Sequence, residues 1–255
     1  MKFISFNVNG IRAAQKKGLL DEVFKLSPDI LAIQETKCDP DQLPENNFAP
    51  KGYFSYFETA KNRKGYSGVA IYSKEIPIKV SETMGYKDFL DNEGRTLVAE
   101  YKDFYFINCY FPNGGKSDEH FQYKLDYYDK MLVLMKKLEK NKPVIMTGDI
   151  NATVADIDLA RPKENAGKIG CTEFERKRLE KFCDDFIDTF RFINGNEIKY
   201  SWWDMKTRAR DRNIGWRIDY FFVSKSFGKK IKKADILDDI FGSDHCPILL
   251  EVKLD

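Results

Sequence analysis

Eight short runs rich in Val, Ile, Phe and Tyr, over residues 3–8, 30–34, 69–73, 96–101, 104–110, 144–147, 220–223 and 248–252, read as β-strands distributed along the whole chain. Between them, Phe121, Leu125, Tyr128, Leu132, Met135 and Leu138 recur at steps of four or three. That spacing predicts an amphipathic helix over 117–140, with Ser117 as its cap and Asp118 and Glu119 in its first turn. Shorter amphipathic patterns predict helices over 18–26 and 172–182. Strands that interleave with helices through both halves of a chain define an α/β layered fold. No low-complexity linker, fixed-period repeat or Pro/Gly/Ser-rich hinge divides the sequence, so residues 1–255 are expected to form one domain.

Composition removes several classes. The longest nearly apolar stretch, 104–111, already contains Asn108 and falls far short of the roughly 18 residues a membrane span needs. The opening Met-Lys-Phe-Ile-Ser-Phe-Asn-Val-Asn-Gly has polar groups where a secretory signal would be apolar, so a cytoplasmic location is expected. The 5 cysteines are widely spaced without a Cys-x-x-Cys, and with only 2 histidines they are read as reduced thiols rather than zinc ligands. A net charge of +2 does not by itself specify an anionic partner.

Four strand ends carry groups that a buried strand would avoid: Asn7-Val8-Asn9-Gly10, Gln34-Glu35-Thr36-Lys37, Gly148-Asp149-Ile150-Asn151 and Ser243-Asp244-His245-Cys246-Pro247. Open α/β folds build their sites beyond strand ends. A lone Asp or Asn there is most often a turn residue. Four such ends converging would bring Asn7, Glu35, Asp149, Asn151, Asp244 and His245 into one pocket. Three carboxylates with amides form a hard oxygen-rich site suited to Mg²⁺, with Mn²⁺ able to substitute.

These segments, with Ser5-Phe6-Asn7-Val8-Asn9-Gly10-Ile11-Arg12-Ala13, Gly65-Tyr66-Ser67-Gly68-Val69, Tyr110-Phe111-Pro112-Asn113 and Asn213-Ile214-Gly215-Trp216-Arg217-Ile218-Asp219-Tyr220, make seven ordered motifs from residue 3 to about residue 250. In order and content they resemble the exonuclease III family of apurinic/apyrimidinic endonucleases. The resemblance implies a four-layered α/β sandwich, with two β-sheets face to face and helices outside, as in deoxyribonuclease I and inositol polyphosphate phosphatases. It implies Glu35 as principal metal ligand, with Asn7 and Asp244 nearby and Asp149, Asn151 and His245 lining a second or alternative position. Asp149 matches the residue that positions or deprotonates the attacking water, with Asn151 beside it. Their two-residue spacing on an extended segment would point both side chains the same way. His245 matches the histidine that contacts the scissile phosphate, Asp219 its carboxylate partner, and Tyr110 the tyrosine whose hydroxyl reaches the phosphate.

The implied partner is double-stranded DNA with abasic or damaged sites, bound by a monomer, which would place the protein at the nucleoid. Arg12, Asn113 and Lys116 would contact phosphates, Tyr66 would enter the minor groove, and Trp202, Trp216 and Ile218 would wall a slot for a flipped abasic sugar. Lys206 and Arg208 lie in the stretch expected to fill the duplex opposite the lesion. Basic residues interleaved with aromatics around Trp202, Trp203 and Trp216 suit such a surface. The run Lys225, Lys229, Lys230, Lys232 and Lys233 carries no family motif and is read as a solvated face. Asn9, Trp202 and Lys116 stand where other members carry Asp, Phe and Arg, which leaves the balance of endonuclease, exonuclease and damaged-base incision open. The choice of Asp149 or His245 as general base is also open. The alternatives are a metal-dependent phosphatase on a small ester and a catalytically silent DNA-binding protein.

Overall fold

The computed structural model describes residues 1–44, 48, 50–87, 89 and 91–254. Among these, strands β1 (Lys2–Asn7), β2 (Ile30–Gln34), β3 (Phe54–Glu58), β4 (Val69–Ser73), β5 (Lys79–Ser81), β6 (Thr96–Glu100), β7 (Tyr105–Tyr110), β8 (Val144–Asp149), β9 (Phe186–Asp188), β10 (Asp219–Ser224), β11 (Ile231–Ile236) and β12 (Ile248–Val252) form two mixed six-stranded sheets. Their orders are β11-β12-β1-β2-β4-β3 and β5-β6-β7-β8-β10-β9. Helices α1 (Ile11–Lys16), α2 (Leu19–Lys25), α3 (Asp118–Glu139), α4 (Pro162–Asn165), α5 (Glu173–Asp185) and α6 (Thr189–Asn194) complete the regular structure apart from short 3₁₀ turns.

All eight expected strands are present, as are the three expected helices, with ends shifted by up to three residues. Ser117 caps α3 as expected, accepting from the His120 N–H at 3.3 Å. The strands the pattern missed, β3, β5, β9 and β11, are short or lie at sheet edges, where one-sided burial weakens the apolar signal. On β11 the exposed Lys232 and Lys233 alternate with buried Ile231 and Ala234, so the lysine run is solvated and also blunts an edge strand.

Period-two burial separates the layers. On β1, Phe3 enters the core between the sheets, while Ile4 and Phe6 face α1 and α2 with Leu20 and Val23. Beneath the second sheet, Ile107 and Phe222 pack on Met131 and Met135 of α3 and Leu179 and Phe182 of α5. Three apolar layers therefore bind four layers of structure, helix, sheet, sheet and helix, and this is the expected sandwich.

A buried polar bridge crosses the inter-sheet core below the site. Gln34 Nε2 donates to Asn108 Oδ1 at 2.7 Å and Ser5 Oγ at 2.9 Å. Asn108 Nδ2 in turn donates to the Ile33 and Ala70 carbonyls at 3.0 and 2.8 Å. A buried side-chain network of this kind fixes relative position in a way that apolar contact cannot. Here it locks the residue before Glu35 to the strand that ends at Tyr110.

Candidate active site

Strand register explains why the polar ends meet. β1 and β2 run parallel, so the segments following Asn7 and Gln34 leave at one edge. β12 is antiparallel to β1, with Ser5 opposite Ile248, so Ser243–Pro247 leads into its strand at that same edge. It begins a strand where the sequence suggested that it ends one. In the second sheet β7 and β8 are parallel with Tyr110 beside Asp149, and β10 is antiparallel to β8 with Asp219 directly opposite Asp149.

One cleft of about 420 Å³ results, lined by Glu35, Tyr110, Asn113, Asp149, Asn151, Trp202, Trp216, Ile218, Asp244 and His245, together with Lys168, Ile169 and Gly170. At its floor, buried Asn7 donates through Nδ2 to Glu35 Oε1 at 2.8 Å and Asp149 Oδ2 at 2.9 Å, joining two carboxylates from different sheets. Its own oxygen accepts the Asn9 N–H, so in this arrangement Asn7 clamps the carboxylates. Asn9 Nδ2 holds Asp244 Oδ1 at 3.0 Å, and Trp202 Nε1 holds Asp244 Oδ2 at 3.1 Å.

Glu35 has a left-handed backbone, φ 54°, a costly conformation for a side chain of this kind. Hydrogen bonds from Gly10 N to Glu35 O (2.8 Å) and from Thr36 N to Gly68 O (3.0 Å) hold it there. Asn151 is also left-handed at φ 54°. The chain leaves the extended conformation directly after Asp149, so the expected same-face geometry of an extended segment does not apply. A tight turn brings both side chains to the cleft instead, with Asn151 N–H bonded to Asp149 Oδ1 at 2.8 Å. The Asn151 amide donates to Phe111 O and accepts from Asn113 Nδ2 at 3.1 Å. Gly148 must be glycine: at φ 144° a Cβ would lie 1.8 Å from the Cys109 carbonyl oxygen.

His245 lies between the paired carboxylates, Nδ1 at 2.9 Å from Asp219 Oδ2 and Nε2 at 3.6 Å from Asp149 Oδ2. Burial opposes its charge, but Asp219 and Asp149 prevail and raise its pKa to about 10. Burial dominates at Asp149, lifting it to about 7 against the pull of His245, with Asp219 and Glu35 adding to the rise. At Asp244 burial is outweighed by His245 and by the Asn9 and Trp202 hydrogen bonds, so its carboxyl titrates below the ordinary value. Burial, then Glu35 and Asp149, push the Tyr110 hydroxyl well above its normal range, so it stays protonated.

One oxygen each of Glu35 and Asp149 and a ring nitrogen of His245 lie within 4.8 Å of one another. With His245 protonated, the two carboxylates are the donors that fit a divalent cation taking oxygen ligands and waters. Lys37 Nζ sits 2.6 Å from Glu35 Oε2, which neutralises part of that charge.

Trp202 and Trp216 meet edge to face, centroids 6.2 Å apart at 89°, and with Ile218 they make one apolar wall of the cleft. Tyr66 lies outside the cleft lining, its hydroxyl accepting from Arg95 Nη2 at 3.0 Å and Lys116 Nζ at 3.3 Å. Arg12 borders a separate groove with Lys16 and Lys37. Lys206 and Arg208 are exposed and do not line the cleft. Sequence reasoning missed Lys168, Ile169 and Gly170, which carry no strand or helix pattern. It also missed Lys124, although a lysine inside the apolar stripe of α3 was a legible sign of a buried partner.

The two sheets, the carboxylate and histidine cluster and the adjoining apolar wall define a phosphoester hydrolase fold, and the chain belongs to the Endonuclease/Exonuclease/phosphatase family, whose model matches residues 4–245. It is 38% identical over 257 residues to an exodeoxyribonuclease of Bacillus subtilis, covering 100% of both chains. It is 37% identical to a DNA-(apurinic or apyrimidinic site) endonuclease of Dictyostelium discoideum, covering 100% of this chain and 71% of that one. The solved AP endonuclease of Archaeoglobus fulgidus superposes with a TM-score of 0.88 at 30% identity, covering 100% of each chain. No helix among the described residues is long and apolar enough to cross a membrane.

Proposed function

We propose that this chain is a Mg²⁺-dependent endonuclease that hydrolyses the phosphodiester 5′ to an abasic site in duplex DNA and leaves a 3′-hydroxyl, with accompanying 3′-5′ exonuclease and 3′-repair phosphodiesterase activity. It acts as a monomer of one catalytic domain in the cytoplasm. The observation that carries this reading is the union, in one cleft, of the Glu35, Asp149 and His245 cluster with the Trp202, Trp216 and Ile218 wall. A small soluble ester needs the first and not the second. The wall suits an extruded sugar, and extrusion is cheapest where no base is stacked.

Glu35, with Asp149 and Asp244 close by, would hold the cation, which would supply Lewis-acid charge to the phosphate oxygens. Asp149, near neutrality in pKa, accepts the proton of the attacking water, while Asn151 fixes its orientation through the backbone bond to Asp149 Oδ1. His245, held as imidazolium by Asp219, neutralises a non-bridging oxygen and is a poor proton acceptor at pH 7 to 8. Water adds to phosphorus as its proton passes to Asp149, the bond to the 3′ oxygen breaks, and that oxygen takes a proton from solvent as the new hydroxyl, Asp149 returning its own to solvent. Tyr110, protonated and aimed into the cleft, donates to the phosphate.

The test is incision of a labelled duplex with one tetrahydrofuran abasic analogue, against the same intact duplex, with Mg²⁺ or EDTA. Lesion-specific nicking that requires Mg²⁺ and disappears in Asp149→Ala is the expected result. Binding without nicking under both Mg²⁺ and Mn²⁺, or hydrolysis of small phosphate esters alone, would overturn it.

A further inference from the structure

Lys124 lies on α3 three residues after Phe121 and four before Tyr128, inside the helix's apolar face, and is fully buried. Its ammonium donates to Glu175 Oε1 at 2.5 Å, to the Asn151 carbonyl at 2.8 Å and to the Asn113 carbonyl at 3.1 Å. Glu175, on α5 and equally buried, accepts the Gly170 N–H at 3.0 and 2.9 Å. It also accepts from Thr172 N and Thr172 Oγ1 at 3.0 and 2.7 Å. Neither side chain lines the cleft.

One buried ion pair thus ties down three loops that do. Asn113 follows β7, Asn151 follows β8, and Gly170 belongs to the segment between α4 and α5. The Asn113 and Asn151 amides bond each other at 3.1 Å, so their aim depends on where the two carbonyls are held. A Cβ on Gly170 would lie 2.9 Å from the Trp216 ring, so the backbone at this point packs directly against the slot wall.

Attraction between the two charges does not by itself explain this arrangement. Burying two charges is costly, and apolar pairs of similar volume commonly replace them without loss. Burial does pull the Lys124 ammonium below the ordinary lysine range, with Glu175 opposing that shift. An apolar pair would leave the two carbonyls and the Gly170 N–H without these partners.

We infer that Lys124 and Glu175 are positioning residues for phosphodiester hydrolysis, holding Asn113, the Asp149–Asn151 turn and the Gly170 wall in register from behind the cleft. The inference rests on the endonuclease reading above. Misplacement of reacting groups by about 1 Å costs on the order of 100-fold in rate.

Lys124→Met, assayed well below its melting temperature on the tetrahydrofuran duplex, should lose about 10- to 100-fold in kcat with KM changed less than threefold, and Lys124→Arg should recover part of the loss. Glu175→Gln keeps the side-chain shape and gives the same readout if Lys124→Met fails to fold. It should lower kcat and also narrow the preference for abasic over intact duplex. A folded variant with parental kcat, KM and preference overturns the positioning role. So does a loss that only follows a smaller folded fraction, with specific activity per folded molecule unchanged. A parent protein that does not nick the abasic duplex overturns the endonuclease reading, and this role with it.

Discussion

Arg217 falls between the slot residues Trp216 and Ile218 in sequence, but its side chain runs inward and is 1% exposed. Nε donates to Asp158 Oδ1 at 2.8 Å, and Nη1 and Nη2 reach the two oxygens of Asp188 at 3.1 and 2.7 Å. Arg191 gives Asp158 a second cation at 2.6 Å. Asp188→Ala removes the two-pronged half of this network and leaves a buried guanidinium with one carboxylate. Breaking a buried pair from one side costs about 3–5 kcal/mol, lowered here because Asp158 remains. Asp188 also caps α6 by accepting the Arg191 N–H at 3.3 Å, a loss of about 1 kcal/mol. The expected total is about 3 kcal/mol, against an overall stability of roughly 5–15 kcal/mol. Asp188→Asn keeps shape and an acceptor oxygen and should cost about half as much. Urea unfolding is the assay, read as a lower midpoint at unchanged slope. For a chain of this size the Asp188→Ala melting temperature should fall by roughly 6–12 °C. A cost below about 1 kcal/mol for Asp188→Ala would refute the reasoning.

Three further outcomes are expected. Glu35→Ala should lower incision at least about 1,000-fold, with duplex binding in EDTA still measurable; full activity in excess Mg²⁺ would remove Glu35 from the site. Trp216→Ala should weaken discrimination of abasic from intact duplex more than Arg12→Ala does, whereas Arg12→Ala should reduce the salt dependence of binding by about one ion. Equal losses on both duplexes for Trp216→Ala would count against the slot. Glu58 is 4% exposed, and burial, opposed by Lys61, raises its pKa from 4.5 to about 7. The folded state therefore binds more protons than the unfolded state between these values, and stability falls as pH rises through that window. Glu58→Gln should remove this fall, gaining about 2 kcal/mol over the parent between pH 5 and pH 8 in paired melting curves; parallel curves would contradict it.

The apolar runs of the main strands, the helical stripe of α3 with its Ser117 cap, and the polar groups at the strand ends are local, and the sequence alone determined them. Ordered motifs also named most of the groups that line the cleft, though not Lys168, Ile169 and Gly170. Short and edge strands such as β5, β9 and β11 were not legible, since their half-solvated patterns resemble loops until a neighbouring strand supplies hydrogen bonds. Tertiary structure alone decided that Asp149 and Asp219 stand opposite each other with His245 between, because register across β8 and β10 relates positions 70 residues apart. It also decided that Asn151 turns left-handed, and that Lys124 in α3 and Glu175 in α5 meet behind the cleft. Charge, shape and periodicity are properties of a segment. The proximity that shifts a pKa or seats a buried ion pair exists only once the layers have packed.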